Sequence, residues 1–140
     1  AIITHLQGGL GNQMFQYAAG LALSKYYNQQ LFIDCSWFDA IPKGSTIRKF
    51  ELPFLQIPNI ESIMIRSNIR PGKLGRILQA LSTSKPIILR ERQGYRFDPN
   101  LFGLDKEIKR DIHLIGYWQS YKYISQLQPL PGIPQKHNYY

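Results

Sequence analysis

The chain has 140 residues, of which 44% are hydrophobic and 13% aromatic, and its 17 Lys and Arg outnumber its 9 Asp and Glu for a formal charge of +8. Such a length and apolar content predict one folded domain rather than a disordered chain, and no apolar run approaches the roughly 20 residues that would cross a bilayer. The positive surplus favours anionic partners: nucleic acid, anionic lipid met by peripheral association, or a phosphorylated small molecule.

In chain order, "AIITHL" is a β-branched and apolar run that predicts a buried strand feeding the turn Gly8-Gly9-Leu10-Gly11. Phe15, Ala18, Ala19, Ala22, Leu23 and Tyr26 then recur at helical spacing, with Asn28 as the stop. "QLFIDC" predicts a second strand ending near Asp34, which completes a βαβ unit and implies an α/β fold with parallel strands. From Ser36 to Ile60 the prolines Pro42, Pro53 and Pro58 predict irregular chain with short extended pieces. Pro71 precedes a predicted helix over 73–82 that carries Leu74, Ile77, Leu78 and Leu81 on one face. "KPIILRER" reads as a third strand and "FDPNLFGLD" as turn chemistry. "DIHLIGYWQSYKYI" reads as a strand, a loop and a helix, and residues 128–140 as a Pro-rich linker or tail.

A strand that ends in Gly-Gly-x-Gly and opens a helix has a definite physical capacity. Without Cβ atoms a ligand can approach the backbone closely, and the free N–H groups of the first helical turn carry partial positive charge toward it. That suits an anionic group. The competing explanation is a turn that only lets helix and strand pack tightly. A dinucleotide would want a third glycine where Met14 stands, although Asp34 falls where the ribose-binding acid belongs. A nucleotide sugar fits better, because Asn12 and Gln13 add hydrogen-bonding groups that a phosphate cradle alone would not need. Asn12 is the first candidate for a functional side chain, with helix capping as its structural alternative.

"GGLGNQMFQYAAGLALS" resembles the amino-terminal signature of the bacterial-type alpha-1,2-fucosyltransferase family, and its G-x-x-G-N-Q core is similar to that of protein O-fucosyltransferases. "RKFELPFLQI" and "IHLIGYWQSYKYI" resemble further segments of that family, so related patches cover most of residues 1–127. The resemblance implies a Rossmann-like parallel sheet, the amino-terminal lobe of a two-domain GT-B glycosyltransferase. It implies transfer of fucose from GDP-fucose to a sugar hydroxyl with inversion and without a metal, the diphosphate being stabilised by cationic and N–H donors. By position, Gly9, Gly11, Asn12 and Gln13 match the family loop that faces the cleft, and Asn12 is the catalytic candidate. The family's His-x-Arg-Arg-x-Asp string occurs nowhere in the chain. The resemblance therefore implies that the carboxy-terminal GDP-binding domain is absent and that this polypeptide is inactive alone.

Trp118 and Gln119 are candidates to line an acceptor pocket, aromatic faces being good platforms for sugar rings; an aromatic buried in the core is the alternative for Trp118. Cys35 reads as a small buried hydrophobe rather than a nucleophile, and a single cysteine agrees with a reducing, cytoplasmic setting. His5, His113 and His137 stand far apart without ligand spacing, so no metal site is expected, and His5 is expected to be a hydrogen-bonded core residue. Asp34 and Asp39 lie beyond a strand's carboxyl end, where α/β folds place sites. The rival class is a basic nucleic-acid-binding module, although no helix-turn-helix, zinc or RNA-binding signature accompanies the charge.

Overall fold

A computed structural model describes residues 1–39, 57–66 and 85–125. Five parallel strands form one sheet: β1 (Ile2–His5), β2 (Leu31–Asp34), β3 (Met64–Ile65), β4 (Ile87–Arg90) and β5 (Ile112–Ile115), in the spatial order β3-β2-β1-β5-β4. The helices are α1 (Leu10–Tyr27), α2 (Ile60–Ile63) and α3 (Tyr121–Ile124). This is the expected α/β, Rossmann-like architecture. The predicted helix over 73–82 and the Pro-rich segment 128–140 fall outside the described residues.

Parallel strands are buried on both faces when helices cover them, and β1 shows it: Ile2, Ile3 and Thr4 are all buried. Helix α1 lies against the face that presents Thr4 and Leu31, and Gly20 lets it close on them, since a Cβ there would fall 2.9 Å from Thr4 Cγ2 and 3.0 Å from Leu31 Cδ1. The core beneath it joins Ile2, Leu6, Leu23, Ile33, Ile112 and Leu114. Asn28 ends α1 in the left-handed conformation, as expected for the residue after a helix (φ 50°, ψ 50°).

The segment after β5 is fastened by aromatic contacts. Trp118 meets Tyr123 edge-on at 6.0 Å, Tyr123 meets Phe97 at 4.9 Å, and Phe97 stacks on Phe102 at 5.9 Å. Tyr123 Oη accepts the Asp98 N–H at 2.7 Å, which ties α3 to the turn before the short 3-10 helix Pro99–Phe102. Asp98 caps that turn through the Asn100 N–H, as the Asp-Pro-Asn sequence predicts.

Two small elements add to the sequence reading. β3 is a two-residue strand set by pairing with Ile33 and Asp34, so "KPIILRER" supplies the fourth strand rather than the third. Within the stretch expected to be irregular, residues 36–39 form a short 3-10 turn, as Asp34 Oδ1 accepts the Ser36 N–H at 2.8 Å and bends the exit of β2.

Candidate functional site

The chain runs outward from β1 in one direction to β2 and β3, and β5 and β4 lie on the other side of β1. The gap above the carboxyl ends of β1 and β5 is therefore the switch point at which open α/β sheets bind ligands. The glycine turn leaves β1 there, and Gly116-Tyr117-Trp118-Gln119-Ser120 leaves β5 beside it.

The glycines have distinct jobs. Gly8 is the residue with positive φ (+79°), and a Cβ on it would fall 2.8 Å from Asn12 Nδ2. Gly9 is the extended residue before the helix, with no side-chain cap. Gly11 is exposed, and a Cβ on it would meet nothing within 4 Å. The backbone at Gly11 thus borders open space, and Gly9 at the N-cap makes no side-chain cap bond to α1.

Asn12 does not cap α1. Its Oδ1 instead accepts a hydrogen bond from Gln119 Nε2 at 2.5 Å, so the two motifs quoted from opposite ends of the chain meet at one bond. A second crossing runs through Gln16, fully buried, whose Oε1 accepts the Gln7 N–H and whose Nε2 donates to the Gly116 carbonyl, both at 3.0 Å. Gln13 is also fully buried, and its Nε2 donates to the Gly8 carbonyl at 3.0 Å, so it shapes the loop from behind rather than facing the open side.

Sequence reasoning missed Gln16, although the signal was present: Gln13, Gln16, Tyr17 and Gly20 share one buried helical face, and polar residues on such a stripe need partners. It also missed Glu91, whose carboxylate accepts the Tyr117 N–H at 2.6 Å and, longer, the Trp118 N–H at 3.4 Å. Gly116 makes that possible: at φ +155° its Cβ position lies 2.4 Å from Glu91 Cβ, so no larger residue fits.

Trp118 takes the second of the two readings that the sequence allowed. It is 1% exposed and belongs to the core, so its ring is a wall and not an open platform; its Nε1–H, buried, has no hydrogen-bond partner. The exposed aromatics beside it are Tyr95, Tyr117 and Tyr121.

Asp34, at 2% exposure, is turned inward between the Ser36 N–H and His5, whose Nδ1 lies 3.6 Å from Asp34 Oδ2. It is not presented to a ribose, and partly buried Met14 packs against the core where the dinucleotide fingerprint needs glycine. His5 is hydrogen-bonded, as expected. Its Nε2 lies 2.8 Å from Nδ1 of His113, a partner that sequence distance concealed. Both imidazoles are held below the ordinary histidine pKa, first by burial. Cys35 is fully buried and its thiol is pushed up to about 11, mainly by burial, which suits an inert core residue. Asp39 is paired with Arg66 at 2.5 Å on the surface. Among the described residues no group of three or more His, Cys, Asp or Glu converges as metal ligands would, and no helix is long and apolar enough to cross a membrane.

Two comparisons bear on this geometry. Over 126 residues the chain is 26% identical to an alpha-1,2-colitosyltransferase of Escherichia coli, covering 87% of this chain and 40% of that protein. Over 48 residues it is 50% identical to the O-antigen biosynthesis glycosyltransferase WbnK of Escherichia coli, covering 34% of this chain and 16% of that protein. The chain is thus related in sequence to glycosyltransferases and spans less than half the length of these relatives. No family profile and no solved structure matches it.

Proposed function

We propose that this segment is the amino-terminal lobe of an inverting, metal-independent GT-B glycosyltransferase that moves fucose from GDP-fucose to a sugar hydroxyl in an alpha-1,2 linkage. The observation that carries the reading is the junction at the switch point, where the open backbone of Gly11 stands beside the Asn12–Gln119 hydrogen bond. Related glycosyltransferases support the transferase class, and the name of one supports the alpha-1,2 linkage. Fucose as the transferred sugar rests on the resemblance of the glycine signature.

In this reading the acceptor hydroxyl oxygen attacks the anomeric carbon of the donor sugar as the bond to the diphosphate breaks, GDP departing and the hydroxyl proton passing to solvent. The first-turn N–H groups of α1, whose N-cap Gly9 makes no side-chain cap bond, offer fixed partial positive charge to the oxygens on which negative charge develops. Asn12 supplies an amide at the edge of that space, held in orientation by Gln119. Gln13 and Gln16 keep the loop in place through Gly8, Gln7 and Gly116.

The test is donor competition in a polypeptide that joins this segment to the remaining length of its relatives. Labelled GDP-fucose should give a fucosylated product whose yield is unchanged by EDTA, while the 140-residue chain alone binds GDP-fucose weakly or not at all. Transfer from a different nucleotide sugar with none from GDP-fucose would replace the donor assignment. Salt-sensitive oligonucleotide binding without any sugar transfer would favour the nucleic-acid reading.

A further inference from the structure

Two hollows lie beyond the carboxyl ends of β4 and β5. The first, about 400 Å³, is lined by Tyr95, Arg96, Gln119, Ser120, Tyr121 and Lys122. The second, about 300 Å³, is lined by Glu91, Arg92, Arg96, Asp98, Asn100 and Trp118 among others, and the two share Arg96 and Phe97 in their walls. Each has the size of a small-ligand site, roughly 300 to 1,000 Å³. Gln119 brings the first hollow up to the glycine loop, because its amide is the group bonded to Asn12.

Their chemistry is uneven in a specific way. Tyr95 and Tyr121 are 78% and 72% exposed, large rings left in solvent on one hollow. The Trp118 Nε1–H is buried without a partner, although buried donors in folded proteins are nearly always paired. Of the four non-glycine residues with positive φ among those described, Asn28 and Asn59 are of a type that tolerates it; the other two are Tyr95 (φ 64°) and Trp118 (φ 55°), bulky residues for which it is strained. Both line these hollows.

The first hollow carries charge of one sign, Arg96 and Lys122, whereas the second sets Glu91 and Asp98 beside Arg92 and Arg96. None of the three ion pairs among the described residues involves Arg92, Arg96 or Lys122. Glu91 and Asp98 hold backbone N–H groups of Tyr117 and Asn100 but keep their charge, so the place for an anionic substituent is the first hollow, at Arg96 and Lys122.

We propose that these adjoining hollows form the binding groove for an acidic oligosaccharide, the acceptor of the transfer. Tyr95 and Tyr121 stack on sugar rings, Gln119, Ser120 and Asn100 meet hydroxyls, and Arg96 with Lys122 takes a carboxylate or phosphate substituent. An oligosaccharide fits better than a nucleic acid because the tyrosines alternate with amide and hydroxyl side chains and the groove abuts the glycine loop, whereas a phosphate backbone would need a longer track of cations. That the glycan is an acceptor rests on the transferase reading; that it binds does not.

The test needs neither donor nor turnover. The full chain is titrated against an array of neutral and acidic oligosaccharides, including maltohexaose and hexagalacturonate, and separately against inorganic phosphate and oligo(dT). An acidic saccharide should bind saturably, and the Tyr95→Ala, Tyr121→Ala double variant, altering exposed side chains, should weaken it about tenfold with an unchanged circular dichroism spectrum. Arg96→Gln with Lys122→Gln should remove the preference for acidic over neutral saccharides. The proposal is overturned if no saccharide on the array binds, if phosphate alone binds as tightly as the best saccharide, or if oligo(dT) outcompetes it. Saccharide binding with no fucose transfer by the longer polypeptide would sink the donor assignment while leaving the groove standing.

Discussion

Gly8 and Gly11 sit three residues apart and answer to different forces. Alanine at position 8 must adopt φ near +79° and press on Asn12, so Gly8→Ala should cost about 1–2 kcal/mol in a urea melt. Gly11→Val meets open space and replaces a poor helix former, so its stability should match the parent or exceed it by up to about 1 kcal/mol. The pair separates a glycine that the turn requires from one that the fold itself does not. His5 and His113 give a second residue-level prediction. Their folded pKa values lie below the unfolded value near 6.5. The unfolded chain therefore takes up more protons as pH falls, so their contribution to stability is full above about pH 6.5 and is lost as pH falls from there toward the folded values. Urea midpoints at pH 7.5 and 5.5 should drop for the parent, and drop less for His5→Asn with His113→Asn.

At the scale of elements, the exits of β1 and β5 are cross-linked by side chains of α1. Gln16→Leu removes both bonds of Gln16 and strands the Gln7 N–H and the Gly116 carbonyl, so it should cost about 2–4 kcal/mol. A midpoint unchanged from the parent would show that water replaces the glutamine. Periodicity and turn chemistry made β1, α1, β2, β4 and β5 legible, because each is a run long enough for its pattern to be read. The two-residue β3 was not, since pairing with Ile33 and Asp34 defines it rather than its own composition. The His5–His113 contact was hidden for a related reason. It exists only because β1 and β5 are neighbours, with Ile3 opposite His113, and strand order is a long-range fact.

Across the whole molecule, the sheet order converts two separated motifs into one site. Nothing in the spacing of Asn12 and Gln119, 107 residues apart, joins them; β1 and β5 do, by pairing at the switch point. The glycine signature could be read as a turn that bares backbone, and at Gly11 the backbone is open. The roles within it could not be divided from sequence, because Gln13 and Asn12 are adjacent amides whose burial differs only once α1 has docked on the sheet. Trp118 illustrates the same limit: an aromatic in a loop becomes core when its ring meets Tyr123, itself packed on Phe97.

The central claim is that a sugar nucleotide comes against the bare backbone of Gly11. The most direct measurement is kcat/KM for transfer from GDP-fucose by the longer polypeptide, comparing the parent with Gly11→Val after both show equal urea midpoints. A side chain intruding on a positioned diphosphate should lower kcat/KM by about a hundredfold or more. Undiminished transfer by the valine variant would contradict the account.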